Sequence, residues 1–208
     1  MVKAYHAIFS AYGFWLPNDP RGSWSDFVRQ WDLLRFGPAT KVNTPASLAH
    51  GKHDRQRRLD AKRSLQYPPV IFTGKQAQCV GHGFAIAMEQ SGYPILACSI
   101  MSDHVHLVIG RCGRRIEQIA GHLKGRATKL LNEKGLHPLT KHIRNGVVPS
   151  PWAQGGWNVY LNSEAQIEKA IAYVEMNPVR AGLPRQHWSF VKPYERHMPN
   201  DLNISSIS

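Results

Sequence analysis

With 208 residues, 42% of them hydrophobic, the chain can bury one good core and a small appendage, which sets the expectation of one main domain over residues 1–208. Lys and Arg total 26 against 14 for Asp and Glu, a formal net charge of +12, and such an excess points to a polyanionic partner, nucleic acid ahead of an anionic membrane surface, with charge carried for solubility as the plain alternative. The unpatterned cysteines Cys79, Cys98 and Cys112 exclude a disulfide frame and a zinc knuckle. No apolar run reaches the roughly 20 residues that span a bilayer, and MVKAYHAIFSAYG lacks the order of a signal peptide, so the expectation is a cytoplasmic protein with no membrane partner.

Residues 3–12, KAYHAIFSAY, read as a first strand that ends at a glycine. Prolines, glycines and Asn18-Asp19 then open a long irregular insertion, about 13–72, whose segment HGKHDRQRRLDAKRSLQ carries Lys52, Arg55, Arg57, Arg58, Lys62 and Arg63. A run of this kind is a solvated helix face or a DNA contact. Trp15, Trp24 and Trp31 in the same insertion suit a small satellite core or a stacking platform for an unpaired base. Thr73 followed by Gln76 forms a capping-box pattern that opens a helix through about Gln90.

SGYPILACSIM and HVHLVIG follow as second and third strands joined tightly at Ser102-Asp103. Residues 114–135 place Ile116, Ile119, Leu123, Leu130 and Leu131 at roughly helical spacing and end at a glycine. Arg114, Arg115, Lys124, Arg126 and Lys129 occupy other positions of this segment. GGWNVYLN reads as a fourth strand, and SEAQIEKAIAYVEM as a helix capped by Ser163 or Asn162. Strand, helix, strand, strand, helix, strand describes an α+β, ferredoxin-like βαββαβ fold: one antiparallel sheet with two helices on one face and the other face open.

Two histidines one residue apart inside an apolar strand need an explanation. Strand alternation puts His104, His106 and Val108 on one face and Val105, Leu107 and Ile109 on the other. The second set belongs under the helices, so the histidines look out from the open face, toward solvent, a hydrogen-bond network or a metal. In the last helix Ile167, Ala170, Ile171 and Val174 form the apolar stripe, and Tyr173 and Asn177, at i and i+4, share one flank of it. That flank is expected along the sheet edge, with Pro178 holding Asn177 at or near the helix end.

DHVHLVI paired with a later AYVEMNPVRAGL, preceded by PWAQGGWNVYL and followed by QHWSFVKPY, resembles the IS200-type single-tyrosine transposases, and in particular the REP-associated tyrosine transposases. The resemblance covers the first strand and roughly residues 73–194. It implies that His104 and His106 are the two histidines of an HUH motif and bind a divalent metal, Mg²⁺ or Mn²⁺. It also implies that Tyr173 is the nucleophile and that Asn177 takes the place of a third, amide ligand. The implied activity is cleavage and rejoining of single-stranded or hairpin DNA through a 5′-phosphotyrosine, by a monomer or homodimer.

Those residue types belong together chemically. Attack on a phosphodiester needs an aligned nucleophile and charge neutralisation on the phosphoryl oxygens, and a metal held by two imidazoles and an amide keeps positions open for those oxygens. The basic residues of the second helix, Arg114, Arg115, Lys124, Arg126 and Lys129, are the expected DNA contacts. Two other classes compete: a non-catalytic single-stranded nucleic-acid binding module on the same sheet, and a water-using metal hydrolase that would leave Tyr173 without a role.

Overall fold

The structure, a computed structural model, describes residues 1–16, 31–37 and 54–195. Strands β1 (Ala4–Ser10), β2 (Ile95–Ile100), β3 (His104–Gly110) and β4 (Trp157–Leu161) form one antiparallel sheet in the order β2-β3-β1-β4. The described helices are α1 (Trp31–Leu34), α2 (Arg55–Arg63), α3 (Gly74–Ser91), α4 (Ile116–Glu133) and α5 (Glu164–Arg180), with a short 3₁₀ turn at Thr140–His142. None of them is long and apolar enough to cross a membrane.

Local chemistry sets the helix ends. The Thr73 hydroxyl accepts from Gln76 N, and the Gln76 side chain accepts from Thr73 N, closing the expected capping box. Gly92, at φ 63°, ends α3 in the left-handed conformation that favours glycine. Ser163, one of the two candidates, caps α5 in the same reciprocal way with Gln166. Pro178 does not stop that helix, contrary to expectation. It lies inside the last turn with its ring buried, and Ala181 N closes the end onto the carbonyls of Asn177 and Pro178. One missing backbone donor so close to the helix end disturbs few of the bonds behind it.

Helices α3 and α4 lie side by side on one sheet face, over Ala7, Phe9, Ile100, Val105, Leu107 and Ile109. The opposite face is not open. Helix α5 covers part of it, setting Ile167, Ala170 and Val174 against Ala4, Ala97, Val108 and Leu161. The cause is the apolar stripe of α5, which must itself be buried. A register irregularity between Ile95 and Ala97 turns Ala97 to the α5 side while Ile95 stays in the α3–α4 core.

The insertion is not irregular throughout. Asp54 caps α2 by accepting from Arg57 N, and the basic run forms a helix whose one buried residue is Ala61. Leu16, Leu33 and Ala61 make a satellite core, with Phe36 and Leu65 against it. Trp15 is half-buried beside Phe14, while Lys52, Trp24 and the Trp31 side chain lie outside the described residues.

Beyond α5 the chain straps the outer edge of β2. Gln186 Nε2 donates to Ile100 O and its Oε1 accepts from Ile100 N, both at 2.8 Å, and Lys192 N donates to Ile95 O. The strap then packs Trp188 against Gly81 of α3.

Glycine is also required where the two core helices meet, because a Cβ on Gly83 would stand 2.5 Å from the Ala127 Cα of α4. Backbone cannot yield there as a flexible side chain would. Gly83→Ala is expected to lower unfolding free energy by about 3 kcal/mol, the upper end of the overpacking range, as read from urea denaturation of the two proteins.

Candidate active site

The site grows from the register of β1 against β3. His106 pairs with Ile8, His104 with Ser10, and Val108 with His6, so His6, His104 and His106 share the sheet face that α5 partly covers. Ser99 of β2, fully buried, stands opposite His106 on that face. Tyr173 and Asn177, one turn apart on α5, come down over these residues and not along the sheet edge. The ring centroid of Tyr173 is 5.5 Å from His106 and 5.8 Å from His6, and Asn177 Nδ2 lies 3.4 Å from His104 Nε2 and 3.5 Å from Ser99 Oγ.

The structure thus gathers His104, His106, Tyr173 and Asn177 in one chain, and adds residues that sequence reasoning missed. His104 Nδ1 donates to Asp103 Oδ1 at 2.7 Å, and Phe14 stacks on the His104 ring at 5.2 Å. His6 Nε2 lies 3.0 Å from His106 Nδ1. The Arg180 guanidinium sits 5.2 Å from the centroid of the Tyr173 ring. Tyr173 itself is 42% exposed and open to a large substrate, whereas His106 is 6% exposed.

Burial decides the charge of two of the rings. It pulls His6 down to about 4 and His106 to about 2, with the positive charges of His104 and His6 adding to the fall at His106. Both are neutral near pH 7. With Nδ1 of His104 committed to a carboxylate, Nε2 carries the lone pair. Asn177 brings an amide whose oxygen is an acceptor beside the nitrogen that faces His104. Among the described residues no three His, Cys, Asp or Glu side chains are arranged to hold one ion. A divalent metal at this site would have the imidazoles of His104 and His106 and the amide of Asn177 within reach as donors.

The basic residues of α4 occupy the other layer, because α4 packs on the sheet face opposite the histidines. Arg114 and Arg115 are exposed just before α4, Lys129 is exposed and ion-pairs with Glu133, and Arg126 is half-buried. Lys124 turns inward. Its Nζ donates to the carbonyls of Ala153 (3.1 Å) and Gly155 (2.6 Å) and lies 5.0 Å from the Phe9 ring centroid. A groove of about 1150 Å³ between α4 and residues 150–158 is lined by Lys124, Lys129, Glu117, Asn132, Gly155 and Asn158.

A family model described as "Transposase IS200 like" matches residues 65–177, more than half of the chain. The chain belongs to the IS200-like transposase family. The matched segment contains His104, His106 and Tyr173 and ends at Asn177, and membership supports a transposase-like role in DNA recombination. The chain is also similar to a solved REP-associated tyrosine transposase bound to a REP hairpin, at 11% identity and a TM-score of 0.45, over 88% of this chain and 70% of that one. No curated protein matches it.

Burial lowers Lys124 from 10.5 to about 8. The folded chain sheds this proton before the unfolded chain does, so the buried charge opposes folding below pH 8 and the opposition fades as pH rises toward 10.5. Urea unfolding of wild type and Lys124→Met at pH 7 and pH 9.5 is expected to show wild type gaining relative to the variant at the higher pH. A constant difference would mean that Lys124 keeps its ordinary affinity for protons.

Proposed function

We propose that this protein is a metal-dependent single-stranded DNA transesterase that cleaves and rejoins DNA at hairpin-bearing sites through a 5′-phosphotyrosine. Residues 1–208 would form one such domain, with 13–72 inserted in it. The observation that carries the reading is the descent of Tyr173 and Asn177 from one helix onto His104 and His106 of one strand. In this reading His104, His106 and Asn177 hold Mg²⁺ or Mn²⁺, and Tyr173 is the nucleophile. When bound, the ion supplies charge neutralisation at the phosphoryl oxygens.

Tyr173 Oη forms a bond to phosphorus as the bond from phosphorus to the 3′ oxygen breaks, and the phenol proton ends on that leaving oxygen. One phosphodiester is exchanged for another, so neither ATP nor water is consumed, and a 3′-OH can later reverse the step and rejoin the strand. A tyrosine hydroxyl is a weak nucleophile until its proton is drawn away. The Arg180 guanidinium, 5.2 Å from the Tyr173 ring centroid, makes a cation-π contact that helps hold the ring in place. The buried Phe14 and the half-buried His6 limit the positions open to the reacting group.

Arg114, Arg115, Arg126 and Lys129 serve as phosphate contacts on the α4 layer, and Lys124 holds the groove wall beside them. Each single-strand phosphate neutralised adds about −0.7 to the salt slope of binding. Arg114→Ala/Arg115→Ala is therefore expected to reduce that slope by about 1.4, read from affinity for a hairpin oligonucleotide at several salt concentrations.

The chemistry itself is tested with a labelled hairpin oligonucleotide, Mn²⁺ and a denaturing gel. Wild type is expected to give a covalently shifted band, and Tyr173→Phe none, with DNA affinity retained because one hydroxyl and no charge is lost. His104→Ala and His106→Ala should each lose metal-dependent cleavage, and Asn177→Ala should weaken it less. Full cleavage by Tyr173→Phe would require another nucleophile, and the exposed Tyr160 of β4 would be examined first.

A further inference from the structure

We propose that His6 is a positioning residue: its Nε2 accepts the Nδ1 proton of His106 and fixes the tautomer in which His106 Nε2 keeps its lone pair. This rests on the reading of His106 as a metal ligand. It concerns a residue outside the segment matched to the family, which begins at residue 65.

A buried neutral imidazole has one donor nitrogen and one acceptor nitrogen, and the bond made by one nitrogen decides the state of the other. His104 is settled by its neighbour in sequence, since Asp103 can only accept and so keeps the proton on Nδ1. His106 occupies the middle of the sheet, and its partner comes from the adjacent strand. Antiparallel pairing puts Ile8 opposite His106 and His6 two residues further on the same face, which brings His6 Nε2 to 3.0 Å from His106 Nδ1. The two HUH histidines are thus matched: each has Nδ1 engaged by an acceptor and Nε2 left for ligation.

A histidine suits this position better than a carboxylate. It accepts the proton without adding a buried negative charge, and its ring lies tilted with its centroid 5.2 Å from that of His106 and 5.8 Å from that of Tyr173, forming part of the floor beneath the tyrosine. A role for His6 as a ligand in its own right is disfavoured, because no three His, Cys, Asp or Glu among the described residues are arranged around one ion.

The test uses the full chain without DNA. Long-range ¹H–¹⁵N spectra of the metal-free wild type should show His106 protonated on Nδ1; protonation on Nε2 would overturn the proposal without recourse to any variant. Mn²⁺ titration followed by electron paramagnetic resonance should show His6→Phe, which keeps the ring and loses both nitrogens, binding about 10–100-fold more weakly. His6→Gln, which returns an acceptor, should recover most of that loss, and circular dichroism should match wild type in both variants. If His106→Ala abolishes Mn²⁺ binding while a folded His6→Phe binds like wild type, the His6 proposal fails and the metal-site reading stands. If His106→Ala itself binds like wild type, the metal-site reading fails, and the positioning role of His6 for a metal ligand goes with it.

Discussion

The contact of α5 with the middle of the sheet governs where Tyr173 and Asn177 stand against the histidines. Ala4, Ala97 and Val108 present small side chains to Ile167, Ala170 and Val174, so the helix axis comes close to the strands. Tyr173 and Asn177, on the flank of that stripe, are carried down to the level of the histidine rings. Larger residues at 4 or 97 would lift the helix, and both functional side chains would rise with it. Burial of the stripe, a non-directional force proportional to area, is thereby converted into a directional placement through helix and strand periodicity.

That placement is reinforced from the far end of the helix. After α5 the chain crosses the β2 edge, where the Gln186 amide occupies both the donor and the acceptor of Ile100, as a neighbouring strand would. Trp188 and Phe190 then reach the α3 side and stack on each other at 5.9 Å, with Trp188 filling the space left by Gly81. The strap ties the tyrosine helix to the core formed on the opposite face, and it covers a sheet edge that would otherwise be free to pair with another chain. An α5 joined to the sheet by its stripe alone would rely on one small cluster of apolar contacts to hold Tyr173 in place.

What could be read from the sequence was local and periodic. Alternation in HVHLVIG assigned each side chain to a face, capping residues located α3 and α5, and the stripe of α5 was visible at i, i+3, i+4 and i+7. The parts that were missed depend on register between distant segments. His6 shows only as one histidine in AYHAIFS until β1 and β3 are known to be neighbours, although its sharing of a face with Ser10, opposite Ala7 and Phe9, was a usable signal. Asp103 read as a turn residue because nothing local says that its carboxylate bends back to the next histidine. Lys124 looked like a surface cation, and it turns inward because two carbonyls of the loop before β4 lie within its reach. The face chosen by α5 was misjudged for a related reason: a stripe declares that it must be buried, not which surface will bury it.

The composition of the donor set bears on the chemistry the site can support. In the proposed reading two imidazoles and one amide add no negative charge, so a dication held among them would keep its full charge toward a phosphodiester, whose oxygens share one negative charge. Carboxylate ligands would cancel part of that field before any substrate arrived. The nearest carboxylate, Asp103, stands one residue back and bonds to Nδ1 of His104, where it orients the imidazole. His6 does the corresponding work at His106 as a neutral group, where the deeper burial of that ring would make a second carboxylate costly. The choice between an aspartate on the turn and a histidine in the sheet follows from depth: at the rim water can share the charge, and in the middle of the sheet it cannot.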